Sequence, residues 1–251
     1  MSIFAQNAED KANCIQNWVK ERVEQAGSSG AILGLSGGID SSVLAVLLNR
    51  ALGAKMLALI MPCHSSPQDL IHAKLLSLKF DIPNCVIDIS KVYDDCVKEA
   101  SKSCEISKIA KANTKSRLRM INLYLVGQSM NYLVCGASNK SEYTIGYFTK
   151  YGDSGCDLLP IADLLKREIY ELAEYLDIPK EIVEKPPSAG LWEGQTDERE
   201  IGLPYSAIDS FIETGEADTQ AANIMINRMN YLSAHKRATP PVCMINLHEL
   251  K

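Results

Sequence analysis

The sequence predicts an α/β protein, a doubly wound parallel sheet flanked by helices. Short apolar runs alternate with stretches of helical period, the pattern of strands and helices taking turns along a chain. The short runs are apolar throughout instead of alternating with polar residues, as in parallel strands covered on both faces. The first of them opens directly into a glycine-rich turn, Ser36-Gly37-Gly38, before another helical pattern.

Ala8, Ala12, Ile15, Trp18, Val19 and Val23 recur at helical spacing and Gly27 to Gly30 stops them, so a helix opens the chain. Ala31 to Leu35 is too short for a helix and reads as a buried strand. Ser41 to Leu52 reads as a helix, Lys55 to Met61 as a second buried strand and Pro67 to Phe80 as a helix. Cys85 to Ile89, Ser116 to Met130 and Tyr132 to Gly136 continue the alternation as strand, helix and strand. Beyond it, residues 143–160 are rich in Gly, Tyr and Asp. A helix is expected from about Asp163 to Leu176 on the seam Leu164, Leu165, Ile169, Leu172, Leu176. From Lys185 to Pro204, prolines and glycines break both periods, the composition of either a functional lid or a disordered segment.

The chain has 251 residues, 46% hydrophobic and 23% charged, with 26 Lys+Arg against 31 Asp+Glu for a net charge of −5. This length allows one large α/β domain, spanning 1–251, or two small ones. Net acidity argues against a protein that holds nucleic acid by its phosphates. The longest apolar stretch, Ser42 to Cys63, is broken by Arg50 and Lys55, so no membrane span is expected. No basic n-region with an apolar h-region opens the chain, which points to the cytoplasm. Its 8 cysteines form no CxxC pair and read as reduced thiols, mostly buried, with no structural zinc site.

Leu35-Ser-Gly-Gly-Ile-Asp-Ser-Ser42 lies between strand and helix at the carboxyl end of a strand, where open α/β sheets bind ligands. Gly37 and Gly38 permit close backbone approach, the helix start offers free N–H groups, and Ser36, Ser41 and Ser42 add hydroxyls. This is the logic of a phosphate cradle. Asp40 would repel a phosphate unless a divalent cation lay between them. A tight turn with a capping acid is the bland alternative.

The loop is not GxxxxGK[ST]. It resembles the SGGxDS loop of the N-type ATP pyrophosphatase (PP-loop) superfamily, which implies an adenine nucleotide alpha hydrolase-like, Rossmann-like fold and adenylation with AMP and pyrophosphate as products. Gly136-Ala-Ser-Asn-Lys-Ser-Glu142, Gly146-Tyr-Phe-Thr-Lys-Tyr-Gly-Asp153, Asp157-Leu-Leu-Pro160, Leu164-Leu-Lys166, the segment Lys185 to Glu198 and His235-Lys-Arg237 follow with the order and spacing of ammonia-dependent NAD synthetases. The resemblance runs from about residue 10 to 242.

It implies that Gly34, Leu35, Ser36, Gly37, Gly38, Ile39, Asp40 and Ser41 bind ATP, together with Ala137, Lys166 and Ser188. Asp40 and Glu142 would hold Mg²⁺. Ala137 stands where relatives often have Thr, so only its backbone could contribute. Glu142 without the resemblance reads as a solvated loop acid. Deamido-NAD would be bound by Arg117, within Asn113 to Met120, and by Lys150, Asp157, His235 and Lys236. Lys102, Lys108 and Lys111 in the same basic stretch read as a solvated helix face. Asp153 would lie by the reacting carboxylate as the catalytic residue, steadying ammonium or accepting its proton, against the alternative that it merely orders the Gly152 to Gly155 turn.

The implied reaction is ATP- and Mg-dependent amidation of deamido-NAD by ammonia to NAD through an acyl-adenylate, the work of a ligase forming a C–N bond. About ten residues precede the first helix, so no glutamine amidotransferase domain is expected and free ammonia is the expected donor. A homodimer is implied by the family. The rivals are another PP-loop synthetase, such as one for GMP or a tRNA-modifying adenylase, and a nonenzymatic adenine-nucleotide sensor that kept the loop. Dinucleotide motifs oppose the GMP reading, net acidity the tRNA reading, and the presence of both Asp40 and Glu142 the sensor.

Overall fold

Strand β1 (Gly30–Gly34) is flanked on both sides in the computed structural model, which describes residues 7–243 apart from 189, 191 and 193. It pairs in parallel with β2 (Met56–Ile60), Ala31 opposite Met56, and with β4 (Tyr132–Cys135), Gly30 opposite Tyr132. β3 (Asn84–Val86) adds to β2, giving a sheet of order β3-β2-β1-β4 among the described residues. A single parallel bridge, Cys135 to Leu158, prolongs it beyond β4. The chain steps outward from β1 to β3 and then returns to β1's other side, so a switch point opens between the carboxyl ends of β1 and β4.

Ala31 and Leu33 turn toward one helical layer, made by α1 (Ala8–Gln25), α2 (Ile39–Leu52), α3 (Pro67–Lys79) and α7 (Lys166–Tyr175). Ile32 and Val134 turn toward the other, where Leu118, Leu123 and Val126 of α5 (Lys108–Met130) pack. β1, β2 and β4 are therefore covered on both faces, which is why their sequences do not alternate. Gly127 lets α5 lie close on the sheet, since a Cβ there would stand 3.0 Å from the Ile32 side chain. The anticipated seam of α7 is present: Leu164, Leu165, Ile169, Leu172 and Leu176 are all buried.

The remaining helices are α4 (Ser90–Ala100), α6 (Lys140–Ile145), α8 (Lys180–Val183), α9 (Asp197–Ile201), α10 (Tyr205–Thr214) and α11 (Gln220–Ser233). α6, α9, α10 and α11 share a smaller core of Ile145, Ile201, Tyr205, Ile208 and Ile226. No described helix is long and apolar enough to cross a membrane.

Several elements differ from the sequence reading. α4 was not anticipated: it contributes no buried residue, so its apolar positions are diluted by polar neighbours. α5 starts at Lys108, not Ser116, because the Ser107 side chain accepts from the Ala110 N–H at 3.2 Å and caps it. Lys115 and Ser116 are buried there, and polar residues on the inner face hide the helical period. β3 ends at Val86, short of the expected Ile89, and forms an exposed edge. α7 begins at Lys166, not Asp163. Residues 197–201 form a helix inside the segment expected to be irregular. The cysteines are free thiols, but Cys14, Cys85, Cys96, Cys104 and Cys243 are exposed, so the expectation of mostly buried cysteines is corrected. Cys14 and Cys96 lie on α1 and α4, Cys85 on the exposed edge strand β3, and Cys104 and Cys243 outside helices and strands.

Candidate active site

The turn after β1 is held by its own serines. Ser41 Oγ lies 2.9 Å from Ser36 Oγ and donates to the Gly38 carbonyl at 3.1 Å, while Ser42 Oγ donates to the same carbonyl at 2.8 Å. The fully buried Ser42 thus fastens the loop and is not an exposed donor, contrary to the sequence reading. Gly37 has φ +80°, and a Cβ there would stand 2.3 Å from the Asp69 carbonyl at the start of α3, so only glycine fits. No side chain caps the first turn of α2, whose residues Ile39, Asp40 and Ser41 line the cleft.

From that first turn Asp40 meets two residues distant in sequence. Lys166 Nζ donates to Asp40 Oδ2 at 2.6 Å and to Glu142 Oε1 at 3.4 Å. Asn139 Nδ2 donates to Asp40 Oδ1 at 2.8 Å. Asn139 also caps α6: its side chain accepts from the Glu142 N–H at 2.9 Å, and Glu142 reaches back to the Asn139 N–H. The box aims Glu142 at Lys166. The Lys166 side chain is 2% exposed. Burial alone would lower its pKa, but Asp40 and Glu142 outweigh burial and hold it above the usual lysine range. Glu142 is pushed up to about 8, first by burial and then by Asp40 and Asp197, with Lys166 and a Tyr205 hydrogen bond opposing.

A second group stands across the cleft. Asp153 Oδ1 accepts from the Ser116 hydroxyl at 2.7 Å and the Thr149 N–H at 2.9 Å, so Asp153 orders its own turn while facing the cleft. Lys236 Nζ donates to the carbonyls of Gly146 at 2.7 Å and Phe148 at 2.8 Å. Burial pushes its pKa down, Asp153 opposes this, and Arg237 lowers it further. Lys150 Nζ lies 3.3 Å from His235 Nδ1, and Arg117 donates to the Lys150 carbonyl at 3.2 Å. Asp157 has both oxygens engaged, by the Tyr124 hydroxyl at 2.9 Å and the Val134 N–H at 2.8 Å.

A cleft of about 470 Å³ joins the two groups at the switch point. Gly34, Leu35, Ser36, Gly38, Ile39, Asp40, Ser41, Ala137, Glu142 and Ser188 line one part of it, Asp153 and Lys236 another. Lys166 lies beneath Asp40 and Glu142, and Gly37 behind the loop. Arg117, Lys150, Asp157 and His235 lie outside the lining. Lys102 is exposed and paired with Glu99, whereas Lys108 Nζ sits 4.5 Å from the Trp192 ring centre, so Lys108 is not simply solvated.

Residues 11–240 match the family model described as NAD synthase. The chain belongs to the NAD synthase family. An NH(3)-dependent NAD(+) synthetase from Syntrophomonas wolfei is 45% identical over 243 residues, covering 95% of this chain and 97% of the relative. Among solved structures, an NMN synthetase from Francisella tularensis superposes with a TM-score of 0.91 at 36% identity, covering 96% of this chain and 100% of that one. An NH3-dependent NAD synthetase from Campylobacter jejuni, solved with a nitrate ion, gives a TM-score of 0.82 at 30% identity over 95% of this chain and all (100%) of that one. As a member of this family the chain is an enzyme, a nucleotide-binding ligase of NAD biosynthesis.

In this NAD synthase family member several residues at the cleft escaped the sequence reading. Asn139 had a local signal, the Asn-x-x-Glu spacing of a capping box. Ser116, Tyr147, Asp197 and Tyr205 had none, because they meet only through the tertiary fold. Asp69, which forms an ion pair with Lys185, looked like an ordinary first-turn acid of α3.

Proposed function

We propose that the chain amidates the nicotinate carboxylate of deamido-NAD with ammonia, splitting ATP to AMP and pyrophosphate. The observation that carries this reading is the meeting of Asp40, Lys166 and Glu142 beside the β1 turn, in one cleft with Asp153 and Lys236. The β1 turn and the uncapped start of α2 would take the ATP phosphates. Ser188 would reach ATP from across the cleft, and Ala137 would contribute through its backbone. Arg117, Lys150 and Lys236, with His235 beside Lys150, would form the side that suits a dinucleotide diphosphate, with Asp157 fixing the adjoining turn to β4.

Asp40 and Glu142 suit Mg²⁺, since two carboxylates plus substrate phosphate oxygens are the donors it prefers, and both already converge on one cation, Lys166. When bound there, Mg²⁺ would neutralise charge on the ATP phosphates. Lys166 would reach a phosphate only by releasing a carboxylate.

The nicotinate oxygen would attack the α-phosphorus, expelling pyrophosphate, and ammonia would then displace AMP from the acyl-adenylate. No protein nucleophile is needed, so positioning and charge stabilisation account for catalysis. Asp153, turned toward the acceptor side, would accept the proton lost by the attacking nitrogen. Ammonia is favoured as donor by the names of the relatives, and the chain would act as a single domain. A homodimer would cover the exposed Ile121 and Leu125 of α5 and Tyr231 and Leu232 of α11.

The similarity to an NMN synthetase favours a second reading, in which nicotinate mononucleotide is the acceptor. The test supplies Mg-ATP, an acceptor and either ammonium or glutamine, and quantifies the amide, AMP and pyrophosphate. Equimolar NAD⁺, AMP and pyrophosphate with ammonium supports the first reading. Preference for the mononucleotide supports the second, and ATP cleavage without amidation of either overturns both.

A further inference from the structure

We propose that Tyr205 is a positioning residue that couples the seating of helix α9 to the engagement of Glu142 in the nucleotide site. Its hydroxyl lies 3.1 Å from Glu142 Oε1 and 3.1 Å from Asp197 Oδ2. A phenol has one hydrogen to donate, so two carboxylates compete for it at equal distance. Glu142 belongs to the nucleotide site, whereas Asp197 is the first residue of α9 and only 5% exposed.

Two phenols anchor α9. The Tyr147 hydroxyl lies 3.1 Å from Asp197 Oδ1 and 2.8 Å from Glu200 Oε2, sharing its one hydrogen between them, and Gln195 Nε2 donates to Glu200 at 2.6 Å. Tyr147 has no hydrogen bond to Glu142 among the described residues, so its hold on α9 is independent of the nucleotide site. Tyr205 hydrogen-bonds to both Glu142 and Asp197 and so joins the two. It cannot swing away, being 6% exposed within the Ile145, Ile201, Ile208 and Ile226 core and facing Lys166 Nζ 4.9 Å from its ring centre.

The consequence rests on the reading of Asp40 and Glu142 as the Mg-ATP carboxylates. With Glu142 drawn to a divalent cation, the phenol's hydrogen is released to Asp197 and α9 is held more tightly. Without the cation, Glu142 Oε1 is met only by Lys166 and Tyr205 among the described residues, the phenol's hydrogen is shared with Asp197, and α9 is held less well. The effect is reciprocal, so a seated α9 also favours cation and nucleotide together. One charge-assisted hydrogen bond gained sets its size at roughly tenfold.

The experiment is amide hydrogen exchange of the peptide spanning 197–204 in the full-length protein, with no ligand, with ATP plus EDTA, and with ATP plus Mg²⁺, omitting acceptor and ammonia. Wild type is expected to gain about tenfold protection when Mg²⁺ replaces EDTA, and Tyr205→Phe under twofold. Tyr147→Phe should exchange faster in every condition yet keep the Mg-dependent ratio. Asp197→Asn, which leaves Tyr205 intact, should lose most of the ratio and serves if Tyr205→Phe does not fold. An unchanged ratio in Tyr205→Phe, or no Mg effect in wild type, overturns the coupling. Calorimetric titration with Mg-ATP separates the two readings: absence of ATP binding removes the functional proposal, whereas binding with an unchanged ratio in Tyr205→Phe removes only the coupling.

Discussion

Lys166 Nζ stands 2.6 Å from Asp40 Oδ2, joining residues 126 positions apart, with Glu142 Oε1 at 3.4 Å from the same ammonium. The three side chains are 2%, 19% and 14% exposed. In so dry a setting the ammonium keeps two carboxylates together that would otherwise repel each other. It ties the first turn of α2 to the starts of α6 and α7.

Lys166→Met therefore leaves the Asp40 carboxylate, and Glu142 once it ionises, without a counter-ion. Breaking a buried pair in this way costs about 3–5 kcal/mol. Urea denaturation of the ligand-free protein should show a loss near the lower figure, since Asp40 keeps some contact with water. A loss below about 0.5 kcal/mol, the level of a surface pair, would contradict the structural role of Lys166.

Asp40→Ala tests the same site from its chemical side. It removes one proposed cation ligand while leaving the Ser36, Ser41 and Gly38 bonds of the loop intact. Mg-dependent pyrophosphate release should fall by at least a hundredfold, in line with loss of one charge-stabilising group. Release at the wild-type rate would remove Asp40 from the cation site.

What was legible in the sequence follows from how local each feature is. The β1 turn was readable because strand, glycines and helix start are consecutive, and the strands because burial on both faces leaves no alternation. Lys166 was visible only through its motif, since a lone lysine at a helix start says nothing of a carboxylate 126 residues away. Tyr205 and Asp197 carried no pattern, as their meeting depends on α9 and α10 folding back over α6. The start of α5 was hidden by Lys115, whose buried ammonium lies 5.4 Å from the Tyr93 ring centre where an apolar side chain would be expected.

Glu142 predicts a pH dependence with a definite sign. Its pKa in the folded protein, about 8, exceeds its ordinary value of 4.5, so between these values the folded state binds more protons than the unfolded state. Stability from this group is present below pH 4.5 and is lost as pH rises through about 8. Lys166, held above the usual lysine range, stays charged throughout that window and adds no slope. Wild type without ligand should thus lose stability relative to Glu142→Gln between pH 5 and pH 8.5, by on the order of a few kcal/mol. Parallel denaturation midpoints across that range would refute the raised pKa.

Gly37→Ala should separate folding from nucleotide binding. The new Cβ meets the Asp69 carbonyl at 2.3 Å, and φ +80° is unfavourable for alanine. Backbone carbonyl and loop must part, at a cost of about 1–3 kcal/mol in stability. The displaced turn should weaken ATP binding more than tenfold, because its amides no longer converge. Calorimetric titration with Mg-ATP checks this, and unaltered affinity would show that the turn does not cradle the phosphates.

Thiol labelling distinguishes the buried cysteines from the exposed ones. Burial pushes the Cys63 and Cys135 thiols up, and Cys156 up to about 11, with Asp157 adding to the last. Since the thiolate is the reactive form, these three should resist iodoacetamide at pH 8 while Cys14, Cys85, Cys96, Cys104 and Cys243 are alkylated. Cys156 and Cys135 both line the cleft, so added Mg-ATP and acceptor should slow the residual labelling of the half-buried Cys156 further, whereas Cys135, the last residue of β4 and only 2% exposed, should label only on unfolding. Peptide mapping after timed alkylation reads each site. Rapid labelling of Cys135 in the folded protein would mean that the β4 edge opens far more readily than its packing allows.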